Sequence, residues 1–208
     1  MPLFITFEGG EGSGKSEQAM ALYRRLFKMN VPAVLTHEPG VTQLGRKISF
    51  WLKWKQNLKI TPTAELLLFN ASRSQIVSEF IRPALDEGKV VICDRYFDST
   101  TAYQGYGRGL DLKDVKAANM LGSGGLTPNV TILLDVPSEA GFNRKNDKKA
   151  DRIEQEDIEF HKRVRNGYLN MAAENPKRWI TIDGTMTKGN VEQAVWKKIS
   201  HLFEVNSK

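Results

Sequence analysis

The run Gly9-Gly10-Glu11-Gly12-Ser13-Gly14-Lys15-Ser16 constrains this chain more than any other stretch. It completes a G-x-x-x-x-G-K-[ST] pattern directly after the apolar, β-branched segment Leu3 to Phe7. The glycines let successive backbone N–H groups turn inward around phosphate oxygens, and a helix starting near Gly14 adds its positive end. Lys15 can reach the outer phosphates, and Ser16 offers a hydroxyl to magnesium. Gly9 through Ser16 are therefore expected to hold a nucleoside triphosphate. A phosphate cradle alone does not name the reaction, since switches, motors and small-molecule kinases share it.

The rest of the chain reads as the scaffold such a loop needs. Short apolar runs at Leu3 to Phe7, Ala33 to Thr36, Val90 to Asp94, Val130 to Val136 and Trp179 to Asp183 have the look of buried strands, and helical periodicity fills the intervals. Alternation of this kind predicts an α/β fold in three layers, a five-stranded and mainly parallel sheet with helices on both faces. Thr61-Pro62 supplies a cap and a first-turn proline for a helix running to about Leu85, with Pro83 able to kink or end it early. A later helix is expected from about Ile153, with Glu154, Glu156 and Asp157 in its first turns. Gly105, Gly107 and Gly109 exclude regular helix where they fall. No repeat or linker divides the sequence, so one domain over residues 1–208 is expected.

Charge and cysteine usage narrow the class. The excess of 30 basic over 24 acidic residues, +6, suits a polyanionic ligand, yet an arginine-rich tail and zinc-ligand spacing are both lacking, so no nucleic-acid partner is expected. No apolar run approaches a membrane span, and the amino terminus reads as a first strand rather than a signal peptide. The single cysteine, Cys93, lies inside a strand-like run and fits a buried thiol in a reducing cytoplasm.

A second constellation points to a small acceptor. The third strand ends in Asp94-Arg95-Tyr96, at the sheet edge where open α/β folds bind ligands. Asp94 is a candidate magnesium ligand and Arg95 a candidate phosphate clamp; the alternative is an ion pair between them that caps the strand. If a helix follows, Arg95, Ser99 and Tyr103 share one face, joining a cation, a hydroxyl and an aromatic wall. Phe69 and Arg73, also four apart, could stack on a base and donate to its carbonyl, although a phenylalanine taken alone is more often a core residue.

The ordered set of Phe7-Glu8-Gly9 with the phosphate loop, Glu38-Pro39-Gly40, Leu68-Phe69 with Arg73, Asp94-Arg95-Tyr96 with Asp98-Ser99, Ala102-Tyr103-Gln104-Gly105, and Asp151-Arg152-Ile153-Glu154 resembles the thymidylate kinase family along essentially the whole chain. The resemblance implies that ATP, with Mg2+, phosphorylates dTMP to dTDP for dTTP synthesis, in a cytoplasmic homodimer. It also implies roles. Phe69 would stack on thymine, Arg73 bond a base carbonyl, and Arg95 hold the acceptor phosphate. Tyr103 would crowd the sugar's 2′ position, Ser99 and Gln104 line the base pocket beside Glu38, and Glu11 contact the 3′-hydroxyl region.

In this family the arginine that neutralises the transferring group sits either in the phosphate loop or in a lid. Here positions 10 to 13 carry no base, so the expectation falls on a lid around residues 143–153, with Arg144 and Arg152 as candidates beside Lys15 and Arg95. The chain departs from the family at His37 and Val41, where arginine and glycine are usual, with Arg46 or Lys47 as possible substitutes, and at Ile76, where histidine is common. The rival readings are a kinase for another nucleoside monophosphate or a deoxynucleoside, and a nucleotide-dependent switch.

Overall fold

The computed structural model describes residues 2–54, 58–144 and 150–203, so positions 145–149 of the expected lid lie outside the described residues. In chain order the elements are β1 (Leu3–Glu8), α1 (Lys15–Lys28), β2 (Ala33–His37), α2 (Gln43–Trp54), α3 (Pro62–Ile76), α4 (Arg82–Asp86), β3 (Val90–Asp94), α5 (Phe97–Thr100), α6 (Leu112–Ser123), β4 (Val130–Asp135), α7 (Ser138–Asn143), α8 (Ile158–Glu174), β5 (Trp179–Asp183) and α9 (Lys188–Ile199). The strands form one sheet in the order β2-β3-β1-β4-β5, and every pairing is parallel. Parallel strands need crossovers, which the intervening helices supply.

Alternation along β1 shows why both faces of the strand are largely apolar. Ile5 and Phe7 face α1 and α9, packing with Leu22, Leu26, Val191 and Val195. Phe4 faces the opposite layer, where Val91 and Cys93 of β3 meet Ile76, Val77 and Ile81. Farther along that layer, Leu133 and Trp179 pack against Phe160, Val164 and Tyr168 of α8. Fully burying one such side chain is worth roughly 1.5–3 kcal/mol, so helices on both faces are what a sheet of this composition demands. Cys93 is buried as expected, its thiol donating to the Arg95 carbonyl at 3.0 Å. Among the described residues no helix is long and apolar enough to cross a membrane.

Three local features refine the expected elements. Thr61 does cap α3, accepting from the Ala64 N–H, with Pro62 at the first turn. The helix then widens into a π segment, Val77–Ile81, before α4 carries Pro83. Proline lacks the N–H that a regular turn needs there, and the wider turn absorbs that loss. The expectation that α8 opens near Ile153 is wrong by five residues. Asp157 is its cap, accepting from the Phe160 N–H at 2.6 Å, whereas Asp151 caps only a turn through the Ile153 and Glu154 N–H groups. Two capping aspartates six residues apart make the choice between them non-local. Finally, the segment after α5 winds as a π-helix, Thr101–Gly107, in keeping with its glycines.

Candidate active site

The phosphate loop leaves the carboxyl end of β1, the central strand, and enters α1 through Gly14, which holds a left-handed φ of 89°. Gly12, at φ 66°, lies flat against Gly141 of α7: a Cβ on Gly12 would stand 2.0 Å from the Gly141 carbonyl oxygen, and one on Gly141 would stand 2.2 Å from the Glu11 carbonyl oxygen. Only two glycines allow this approach, and it presses α7 onto the loop. Lys15 folds back over the loop, its Nζ donating to the Gly10 carbonyl at 2.7 Å and to Ser13 Oγ at 3.2 Å. Burial, followed by the nearby Arg95 charge, lowers its pKa to about 8. Ser16 donates to one carboxylate oxygen of Asp94, while the other, Oδ1, is buried with no partner.

A cleft of about 1190 Å³ opens over this loop and reaches Asp94, His37, Gly184 and Arg144. A narrower pocket adjoins it, lined by Glu38, Phe69, Arg73, Ser99, Tyr103 and Gln104 with Asp151, Ile153 and Glu154. Glu11 and Arg95 line both cavities. They mark where two ligands can meet.

Arg95 is the hub of that junction. Its backbone takes φ 69°, unusual for a side-chain-bearing residue and of the kind that clusters at functional sites. One guanidinium nitrogen donates to the Gly9 carbonyl, Ser99 Oγ and Tyr168 OH at 3.3, 3.0 and 3.2 Å; the other donates to Glu11 at 2.7 Å and Tyr103 OH at 3.1 Å. Tyr103 also donates to Glu11 at 2.7 Å. The convergence of Arg95, Ser99 and Tyr103 expected from their spacing is therefore present, although Arg95 precedes the helix and Tyr103 sits in the π turn.

Two members of this network escaped the sequence reading. Glu8 is fully buried and accepts from the Tyr96 N–H at 2.7 Å, Ser99 Oγ at 2.6 Å and Tyr168 OH at 3.0 Å. Burial and then the Asp98 charge raise its pKa to about 7, against the bonds it accepts. A carboxylate closing an otherwise apolar strand was its available signal. Tyr168 offered none, since Phe160, Val164 and Tyr168 recur at core spacing on α8.

The pocket side chains are as tightly partnered. Arg73, 1% exposed, donates to Glu38 at 2.9 Å, Asn70 at 2.9 Å, Asn119 at 3.1 Å and Thr100 at 2.8 Å. Burial raises the Glu38 pKa to about 7 even beside Arg73, and Glu38 Oε1 is buried without a partner. Phe69 lies at the boundary of pocket and core, lining the pocket and packed against the α8 cluster. Gln104 donates to Glu65 at 2.7 Å.

The lid candidates separate. Arg144 lines the phosphate-loop cleft and donates to the Gly184 and Thr185 carbonyls at 2.9 and 3.3 Å. Arg152 donates to the Leu52 carbonyl at 2.9 Å and pairs with Glu65, away from the loop's lining. At the divergent stretch, His37 is exposed on the cleft rim, Val41 packs into the core behind β3, and Arg46 donates to the Val41 carbonyl at 2.7 Å. Ile76 is a core residue, 2% exposed.

The sequence matches the family model described as thymidylate kinase over residues 7–195. The chain belongs to the thymidylate kinase family. Among relatives, it is 52% identical to a thymidylate kinase of Dehalococcoides mccartyi strain CBDB1 across 98% of each chain. It is 44% identical to one of Roseiflexus castenholzii across 88% of this chain and 86% of that one. The crystal structure of thymidylate kinase from Ehrlichia chaffeensis superposes with a TM-score of 0.78 at 35% identity, covering 95% of this chain and 98% of the other. The family match runs from the end of β1 through β5, the stretch that carries the phosphate loop and the residues lining the pocket.

Proposed function

We propose that this chain transfers the γ-phosphoryl group of ATP to the 5′-phosphate of dTMP, giving dTDP and ADP. The observation that carries the reading is the shared wall: Glu11 and Arg95 stand on both cavities, so a donor over the loop and an acceptor in the pocket bring their phosphates together. The bond from the γ-phosphorus to the β–γ bridging oxygen breaks as one forms to an acceptor phosphate oxygen. That oxygen is already anionic, so alignment and charge neutralisation are what remain for the protein to supply.

Within this reading the loop amides and Lys15 hold the donor phosphates, and Arg144 brings the lid charge to the cleft. Arg95 holds the acceptor phosphate, exchanging its Glu11 contact for it. Phe69 stacks on the base, Arg73 donates to a base carbonyl, and Ser99 and Gln104 shape the pocket's polar wall beside Glu38. Tyr103, fixed by Arg95 and Glu11, fills the space a 2′-hydroxyl would need, and Glu11 faces the 3′-hydroxyl region. Ser16 and Asp94 fit magnesium: they are hard oxygen donors held together, and the unpartnered Asp94 Oδ1 is available to the ion or its waters. When bound, the ion neutralises phosphate charge.

A homodimer is supported by apolar side chains left exposed on α2, α3 and α6, which pack side by side: Trp51, Trp54, Leu67, Met120 and, 83% exposed, Leu121. The buried reduced Cys93 suits the cytoplasm. The test is coupled ADP release with a panel of nucleoside monophosphates and deoxynucleosides. Turnover should be highest with dTMP; preference for a ribonucleotide or an unphosphorylated nucleoside would overturn the assignment.

A further inference from the structure

Glu65 of α3 lines neither cavity, yet it bridges side chains around the acceptor pocket. It is 1% exposed, and Oε1 accepts from Gln104 at 2.7 Å and Arg108 at 3.1 Å, while Oε2 accepts from Arg108 at 3.3 Å and from Arg152. Burial alone would raise its pKa, but the bonds from Arg108 and Arg152 outweigh that and hold it below the usual range. The carboxylate is therefore charged and fully engaged. Its partners belong to different parts of the machine. Gln104 lines the acceptor pocket, and Arg152 belongs to the segment whose residues Asp151, Ile153 and Glu154 line it too.

Within that segment Ile153 packs in the α8 cluster and Asp151 pairs with Lys53 at 3.8 Å, so Arg152 is one anchor beside others. Besides Glu65, Arg152 bonds only backbone of α2 among the described residues: its Nε donates to the Leu52 carbonyl and its N–H to the Lys53 carbonyl, both at 2.9 Å. Arg108 has a second carboxylate, Glu156, at 2.6 Å, and Gln104 is held by burial. Removing the Glu65 charge thus falls mainly on Arg152. We propose that Glu65 is a positioning residue for phosphoryl transfer, setting Arg152, and with it residues 151–154, against the acceptor pocket. A buried ion cluster is weak evidence for stability, because apolar packing could replace it at little cost. Linking two stretches that line one pocket is a function that apolar packing would not perform with the same directionality.

This rests on reading that pocket as the dTMP site, and a kinetic cycle separates the two. Glu65→Gln, Arg152→Gln and the double variant are compared with wild type for kcat and for KM of dTMP and of ATP, together with thermal unfolding. Glu65→Gln is expected to lower kcat/KM for dTMP about 10- to 100-fold, as breaking a buried charged contact does, while KM for ATP stays within about twofold. In the Arg152→Gln background it should cost less than about threefold more, because its route is already cut. A full, additive loss in that background overturns the proposal, as do equal rises in both KM values or no change at all. If Glu65→Gln does not fold, Glu65→Asp, which keeps the charge but shortens its reach, is carried through the same cycle and judged by the same additivity. A wild-type chain without dTMP-dependent turnover overturns the functional reading as well; a wild-type chain with turnover and additive variants overturns the role of Glu65 alone.

Discussion

The phosphate loop and the acceptor pocket solve binding in opposite ways. The loop is one continuous stretch, residues 9–16, whose ligand-facing groups are largely backbone and whose shape is set by glycines. The pocket has hardly any backbone contribution. It draws Glu11 from the loop, Phe69 and Arg73 from α3, Ser99 from α5 and Tyr103 from the π turn, with Glu8 of β1 and Tyr168 of α8 behind them, and hydrogen bonds tie Glu8, Glu11, Arg95, Ser99, Tyr103 and Tyr168 into one network. A cradle of backbone can serve any triphosphate, whereas a lattice of side chains fixes one acceptor. The first should tolerate side-chain change and respond to lost charge; the second should respond to change anywhere in the lattice.

The largest effect should come from the lid charge on the loop side. Arg144→Ala is expected to lower kcat by about 10³-fold, the lower end of what a cation at a transferring phosphoryl group supplies, with KM for dTMP nearly unchanged. Steady-state kinetics with each substrate varied in turn provides the measurement. A raised dTMP KM with kcat intact would erase the division between the two regions.

Phe69→Ala sharpens the contrast from the other side. Loss of an aromatic surface beneath a base removes roughly 1–3 kcal/mol, so KM for dTMP should rise about 10- to 100-fold while KM for ATP does not move. Gly141→Ala should act between the regions. Its methyl would stand 2.2 Å from the Glu11 carbonyl oxygen, so α7 must shift off the loop. Overpacking of this kind costs about 1–3 kcal/mol of stability, seen as a lower midpoint in denaturant, and turnover should fall by roughly tenfold as Arg144 loses register with the cleft.

Legibility in the sequence follows the same division. The five strands end within a residue of the expected runs, because the inner strands β3, β1 and β4 are largely apolar on both faces, and the half-buried edge strands β2 and β5 still carry short apolar runs. The phosphate loop is local chemistry and is read directly. Arg95, Ser99 and Tyr103 were also within reach, since a spacing of four survives even where the helix begins late and widens. What could not be read is what non-local contact decides. Asp151 and Asp157 are equally good caps until the fold selects one. Tyr168 and Glu65 look like members of helix faces, and only the packing of α8 and α3 against the π turn turns them inward. Arg152 is as basic as Arg144, and nothing in its spacing says that it reaches Glu65 and Leu52 rather than the loop.

Glu8 gives the smallest effect on turnover and the finest probe of the lattice. It touches no cavity directly in its role as anchor for Ser99, Tyr168 and the Tyr96 N–H. Glu8→Gln keeps the shape and an acceptor oxygen, so turnover at neutral pH should change by no more than about tenfold, the worth of one hydrogen bond. Stability should change in its pH dependence instead. In the folded chain Glu8 holds its proton up to about pH 7, whereas the unfolded chain releases it near 4.5. Between those values the folded state binds more protons, so unfolding free energy falls as pH rises through the window. Glutamine cannot ionise, so the variant should lose that part of the slope. Glu38, shifted the same way by burial, keeps its own share in both proteins, and the difference between the two denaturation series from pH 4.5 to 7 isolates Glu8. Parallel series would mean that Glu8 ionises as freely in the fold as out of it, and that the acceptor lattice is wetter at its root than its hydrogen bonds require.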